Sequence, residues 1–524
     1  MSSFYGLEIA RRGLFVNQKA LDVTGHNIAN ANTEGYTRQS LVLSALTPPN
    51  SSGSLSQAST IQVGGGVAIQ ELRQIRDTFL DAQFRRENRY LQEWTVKSDV
   101  TQYVEDIFSE PSDTGLNASL GEFYNTLQEL AKYPESIEIR TLVRQEAIKL
   151  TETIQHQRSQ LIQLQQQQDT SIEITVGEIN DLAVNIRDLN LQIFKFEEGG
   201  ENANELRDQR NLMVDELSGL VSFNYSEIDN GRFRIDINGF PLVDHSEVNL
   251  LEAVRSTPNP VDSNNLYTVV WKETQLEVPI SGGAMKGYMD MRGGVTPDNV
   301  GIPYFIEQLD NFAKAVVQEF NNVHQKGYSI PYGGSDSETG NAFFSFKEFK
   351  EPAGWDTVSS KRRNKYILDN VNAKNISLDN RILESVYNIA TSSEKIDSSD
   401  TLGWGNNLNA LSLVALRSKK DIEIEIKDGA TTTIIRIGNL EDFTKKVIAD
   451  LAVEASHAKK MNSSQSVLAV SISKRRLSVS AVSLDEEMSN MIMFQHAYSA
   501  AARMVTAIDQ MLETLIQRTG VVGR

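Results

Sequence analysis

The sequence predicts a mainly α, elongated multidomain subunit with an inserted β domain. Its terminal helices pair as a coiled coil, a long helical hairpin builds a bundle, and β-rich insertions stand outside. Three observations carry this. Heptad stripes of apolar residues occur at both ends. Helical periodicity fills most of the chain between them. The period changes abruptly to strand-like near Ser222.

The last forty residues place Met491, Tyr498, Val505 and Leu512 at one heptad position, and Phe494, Ala501, Ile508 and Leu515 three residues on. The first thirty carry a thinner stripe, Leu7, Leu14, Leu21 and Ile28, with Ala10, Asn17 and Thr24 at the second position. Such spacing puts side chains on one helix seam that needs a partner helix. Two seams at opposite ends predict a chain whose termini meet, residues 1–45 with 484–524. The thin N-terminal seam cannot hold a helix by itself, so its order requires the other terminus and neighbouring subunits.

The first helix stops near Asn27 to Asn32, where asparagines tolerate turn conformations. Residues 47–66, rich in Ser, Gly and Pro, read as a loop. From about Val67 to Val221 helix dominates, broken by 109–115 and Pro134. One long helix runs from Ile137 to Glu198; Gly199 and Gly200 turn it, and the run from Ala203 to Val221 returns antiparallel. Residues 222–300 form the β insertion, with Asn238-Gly239 as its strongest hairpin signal. Residues 331–374 are an irregular segment, and 420–438 a short hairpin. The helical bundle is assigned to 46–221, 301–330 and 375–483. Ser483 and Glu486 are spaced as a capping box for the last helix.

The composition narrows the function classes. The 524 residues suffice for three or four domains. A net charge of −18 repels nucleic acid and anionic lipid, so neither is an expected partner. No apolar run spans a bilayer, so no membrane insertion is expected. The start, interrupted by Arg11 and Arg12, lacks the layout of a cleavable signal. Cysteine is absent, which removes disulfides and thiolate metal sites. There is no H-E-x-x-H, Walker A or G-x-S-x-G motif. The loops at Asp229-Asn230-Gly231 and Asp236 to Gly239 lack the twelfth-position Glu of a calcium loop. His324 and His496 lie on helices without partners at ligand spacing and read as helix-face residues. No catalytic residue, metal or cofactor is expected.

The run Asn27-Ile-Ala-Asn-Ala-Asn-Thr-Glu-Gly-Tyr-Thr-Arg38 closely resembles the N-terminal signature of the bacterial flagellar rod, hook and hook-associated family. Within it Asn32, Thr33, Gly35, Tyr36 and Arg38 match the Asn-Thr-x-Gly-Tyr-x-Arg pattern. Gly35 suits a positive φ, and Tyr36 and Arg38 offer a packing face and a charged handle. The run from Val482 to Asn490 and the heptads after it are similar to the end of the hook-associated protein 1 branch. So are Asn204 to Arg210, Phe320 to Gly327, and Gly340 to Phe344. The β insertion and 345–440 match only in position and character.

The resemblance implies a structural protein of the hook–filament junction that lies outside the cell, exported without a cleavable signal through the flagellum's own channel. It implies self-assembly through the terminal helices. It implies hook protein as partner on one side, a second junction protein and the filament on the other, and an export chaperone on the C-terminal region. The expected interface is therefore Leu7, Leu14, Leu21, Ile28, the five exit residues, Met491, Phe494, Tyr498, Val505, Ile508, Leu512 and Leu515. Rival readings are another axial protein of hook or rod type, a coiled-coil scaffold or adhesin at the cell surface, and an enzyme in the insertions.

Overall fold

The computed structural model describes the chain except residues 1, 47–63, 109–114, 229–231, 297–298, 333–335, 348, 350–357, 400–401, 421, 429–430 and 519–524. The expected loop at 47–66, the break at 109–115 and the Asp229-Asn230-Gly231 turn therefore lie wholly or mostly outside the described residues.

The chain starts with helix α1 (Ser2–Ala29), then strands β1 (Gln39–Ala45) and β2 (Val67–Gln74), which pair antiparallel. This hairpin corrects the expectation of helix from Val67. The residues from Glu71 to Gln74 have helix formers, but ladder bonds to Gln39–Val42 override propensity. Helix begins at α2 (Thr78–Phe108), and α3 (Leu116–Lys132) and α4 (Ile137–Glu197) follow. Ser136 caps α4, its Oγ accepting from Ile139 N at 3.3 Å. α4 has 61 residues, so it is about 90 Å long. A compact chain of this size has a radius of gyration of only about 24 Å, so α4 alone makes the molecule elongated. Gly200 (φ 84°) turns the chain into α5 (Asn204–Leu220), which packs back on α4.

The insertion then begins. β3 (Asn224–Ile228), β4 (Arg232–Ile237), β5 (Phe240–Asp244) and β6 (Glu247–Val248) form one antiparallel sheet; β7 (Leu251–Thr257) and β8 (Leu266–Trp271) form another. Asn238 (φ 48°) and Gly239 (φ 89°) make the tight turn between β4 and β5. Alternate residues Phe233, Ile235 and Ile237 are buried against α4 and α5. The segment that closes the insertion is a helix, α6 (Ala284–Gly293), where strand character was expected. Gly287 explains its position: a Cβ there would come within 2.8 Å of Val96 on α2.

After β9 (Val295–Thr296) and β10 (Asn299–Val300), α7 (Ile302–His324) runs through the largest core, burying Phe305, Phe312 and Phe320. Strand β11 (Phe344–Phe346), α8 (Ser360–Asn370), β12 (Ile376–Leu378), α9 (Asn380–Glu384) and α10 (Leu408–Ala415) wrap that core. The region 331–374 is thus partly regular, and 375–420 is a mixed compact segment where bundle helix was expected. β13 (Ile422–Asp428) pairs with β14 (Thr431–Ile437). α11 (Leu440–Ser480) then returns along α2, and α12 (Leu484–Arg518) along α1.

His324 differs from its sequence reading. It is fully buried inside the fold. The amide of Ala390 donates to its Nε2 at 2.8 Å, so Nδ1 must carry the proton it gives to the carbonyl of Asn341, also 2.8 Å. Burial holds its pKa down at about 4. Asn321, one turn earlier, accepts from Phe343 N and Phe344 N at 2.9 Å and donates to Phe344 O at 2.8 Å. The Phe320–Gly327 and Gly340–Phe344 runs are one structural unit.

A candidate assembly interface at the chain termini

α1 and α12 run antiparallel. Near one end a Cβ on Gly6 would sit 3.6 Å from Ile508 Cδ1; near the other Asn27 Nδ2 donates to Glu487 Oε2 at 3.2 Å. The α12 side presents Met491, Phe494, Tyr498, Val505 and Leu512, all half-buried, and Ile508, which is buried. Leu515 lies past this overlap and is 52 % exposed. On α1, Leu7, Leu14, Leu21 and Ile28 are only half-buried, whereas Ala10, Val16, Ala20, Thr24 and Asn27 are buried. The deepest line of α1 is thus made mostly of small and polar residues, with the leucines flanking it. Small residues let two backbones approach closely, which the apolar pattern alone did not reveal. The hairpin β1–β2 covers another side of α1, where a Cβ on Gly66 would lie 3.5 Å from Ile9 Cα.

The exit from α1 is built around Asn27. Its amide also donates to Gln39 O at 2.9 Å, and its carbonyl oxygen accepts from Gln39 N at 3.0 Å and from Tyr36 Oη at 2.7 Å. Gly35 takes φ 77°, turning the chain so that Tyr36 points back at Asn27. Burial first, and then Glu205, Asp208 and Glu487, push the Tyr36 phenol pKa up, so it remains a donor. Asn32 and Thr33 are exposed, and Thr33 bonds locally, donating to Asn30 and accepting from the Tyr36 amide.

Arg38 is the clasp between the two ends. Its Nε donates to Glu487 Oε1 at 2.7 Å, its Nη1 to Glu486 Oε2 at 2.9 Å, and its backbone amide to Ser480 O at 2.9 Å. Glu487 is buried, so this charge-assisted bond is well shielded from water. The expected capping box is only half present: Glu486 N lies 3.5 Å from Ser483 Oγ, but the Glu486 carboxylate turns to Arg38 instead of back to the cap. Opposite charge nearby outcompetes a neutral amide.

Below the clasp, a buried ion network joins the termini to the helical body. Thr37 N donates to Asp208 Oδ2 on α5 at 2.9 Å. Burial pushes the Asp208 carboxyl up to about 6, opposed by that bond and by Arg76, 3.6 Å away. Arg476 on α11 bridges Asp81 on α2 (2.9 Å) and Asp215 on α5 (2.5 Å); Arg85 reaches the same Asp215 at 2.6 Å. Sequence reasoning missed Asn27, Glu487, Asp208 and Arg476 as site residues. Asn27, Glu487 and Asp208 stood inside the recognised runs, but only the fold shows their partners. Among the described residues no group of three His, Asp or Glu could hold a metal, and no helix is long and apolar enough to cross a membrane.

Comparison with known proteins follows the same map. Residues 101–344 match the model of the flagellar hook-associated protein FlgK helical domain. Residues 7–37 match that of the flagella basal body rod protein, and 474–518 that of the flagellar basal body rod FlgEFG protein C-terminal region. The chain is 32 % identical to flagellar hook-associated protein 1 of Bacillus subtilis over 542 aligned positions, covering all of both chains. It is 23 % identical to the protein of that name from Salmonella typhimurium, covering 97 % of this chain and 98 % of the other. In fold it is similar to the flagellar hook junction protein FlgK from Burkholderia pseudomallei (TM-score 0.54, 14 % identity, 77 % of this chain and 100 % of that one).

Proposed function

The chain belongs to the flagellar hook-associated protein 1 family, and from that premise we propose that it assembles, through its terminal helices, into the junction between hook and filament. It is a structural protein of the flagellar axis and acts there together with other flagellar components. The family is one of structural proteins.

One observation carries the assembly reading. α12 has a second heptad line, Met493, Ala497, Ala500, Met504, Ala507 and Met511, each one residue before the seam occupied by α1. One residue is about 100° around the helix, so this line stands to the side of the α1 seam. Met493, Met504 and Met511 are 54, 58 and 57 % exposed. A helix with two adjacent apolar lines is built to be flanked by two helices. α1 supplies the first flank; a terminal helix of the next copy supplies the second. Methionine and alanine suit such a contact, since one fills irregular gaps and the other permits close approach. Hook protein on one side, and the second junction protein and filament on the other, complete the stack. Before assembly an export chaperone covers the C-terminal region, and export without a cleavable signal proceeds through the flagellar channel.

The test is direct. Immunogold labelling of intact flagella with antibody to this chain gives a band at the hook–filament boundary. In cells carrying Met504→Asp the band disappears and filament subunits leak into the medium, because a carboxylate cannot be desolvated in that contact. Diffuse cell-surface label, or normal filaments in the variant, would contradict the proposal.

A further inference from the structure

A second unpaired surface lies on the helical body. From Ala455 to Leu484 the sequence contains no Asp or Glu but has Lys459, Lys460, Lys474, Arg475 and Arg476, in a chain whose net charge is −18. Arg476 is used in the ion network. The other four make no ion pair among the described residues. Lys460 and Lys474 fall within an exposed line on α11 at heptad spacing whose apolar members are Val453, Val467, Val470 and Leu477, 70, 68, 50 and 55 % exposed, and Lys459 and Arg475 stand beside it. From Ser456 to Leu468 this helix presents one open surface, with Lys459 and Lys460 among serines and Val467. α11 is therefore basic and apolar where it faces solvent.

The opposite polarity occurs on the other side of the same layer. The solvent face of α4 carries Glu173, Glu178, Asp181 and Asp188 around Ile174 and Leu191, exposed by 58 and 43 %. Of its basic groups, Arg187 is paired with Asp188, and Lys195 stands at the far end. Helix α2 lies between the two faces. Its Thr95 bonds Asn462 of α11, and the neighbouring Val96 abuts Gly287 of α6. α6 in turn packs on α4, where Gln165 bonds the Arg292 carbonyl. Further along, Arg476 of α11 reaches Asp215 of α5, and Arg210 of α5 reaches Asn190 of α4. The basic and acidic faces thus stand at matching heights along the rod, on opposite sides.

We propose that the basic, apolar face of α11 on one subunit packs against the acidic face of α4 on the next copy of the chain. This rests on the self-assembly reading above and adds a lateral contact distinct from the α12 line. Complementary patches on opposite sides cannot close as a two-fold dimer. They make a head-to-tail contact that repeats around a ring or helical turn. The charges set partner and register, and the valines and leucines supply the buried area.

The chain's lack of cysteine makes the test clean. Val470→Cys is combined with Gly177→Cys, a position where an added Cβ meets nothing within 4 Å, and flagella of motile cells are treated with a short bismaleimide. The contact predicts a ladder of dimer, trimer and higher species in the double variant, and none in either single variant. Motile double-variant cells without a ladder would overturn the contact while leaving the junction role standing. So would dimers from Val470→Cys alone, or adducts containing a different protein. If the double variant is non-motile, charge exchange decides: Lys460→Glu with Lys474→Glu blocks assembly, and adding Asp181→Lys with Asp188→Lys restores it. Failure of that restoration overturns the proposal. Absence of the unaltered chain from the hook–filament boundary would instead remove the underlying reading.

Discussion

Acid should unlock the main core through His324. Its Nε2 accepts the Ala390 amide, so a proton added there faces a donor and breaks the bond. Arg140, itself fully buried nearby, adds repulsion. The folded pKa is lowered from 6.5 to about 4, which corresponds to about 3 kcal/mol favouring the neutral form. A depressed pKa contributes stability that is complete above 6.5 and is lost as pH falls toward 4. Linkage gives a loss of about 2 kcal/mol by pH 5. Carboxylates contribute to acid unfolding too, so the measurement is a difference. Urea unfolding followed by circular dichroism at pH 7 and pH 5 compares the unaltered chain with His324→Gln. The variant is less stable at pH 7 by about 2–4 kcal/mol, for lost bonds and packing, and the gap narrows by about 2 kcal/mol at pH 5. Parallel pH profiles would refute the reasoning. If the variant does not fold, an NMR titration of the unaltered protein serves, and a His324 that titrates near 6.5 refutes it equally.

Ile508→Asp places a carboxylate at the most buried heptad position of α12, opposite Gly6 of α1. It should release α1, seen as rapid proteolysis within residues 2–29 while 116–324 stays protected. Glu487→Gln removes the charge that Arg38 and Asn27 share. We expect a loss of about 1–3 kcal/mol in terminal docking, read as faster amide exchange at Arg38 and Gln39. Gly283→Ala combines φ 87° with a Cβ 2.4 Å from the Leu220 carbonyl. It should lower the unfolding midpoint of the insertion-bearing half by several degrees, equivalent to about 2–4 kcal/mol. In the free subunit limited proteolysis should cut the termini first, and in assembled flagella the same sites should be protected.

Much of the architecture could be read from periodicity. α4 falls where helix formers run between Ser136 and the Gly199-Gly200 turn, α5 falls on the run from Ala203 to Val221 after it, and Asn238-Gly239 marks the hairpin it was expected to mark. Strand β2 was hidden because its ladder partners, Gln39–Ala45, are distant in the sequence, and non-local pairing leaves no local pattern. α6 was hidden because its small residues exist for contact with α2, not for propensity. At the termini the heptads named the faces that meet. They could not rank them: Ala10, Ala20 and Thr24 are buried more deeply than the leucines that make the pattern visible. Charged partners were the least legible part. Arg38 stood out in the exit run, yet its two carboxylates lie 448 and 449 residues away.

The measurement that bears most directly on the central claim is an electron-microscopy reconstruction of the native hook–filament junction. It should show this chain at the boundary, with α1 on the Met491–Leu512 seam of its own α12 and a helix from a neighbouring copy on the Met493–Met511 line. A boundary without this chain, or a Met493–Met511 line left open to water in the assembled ring, would contradict the account.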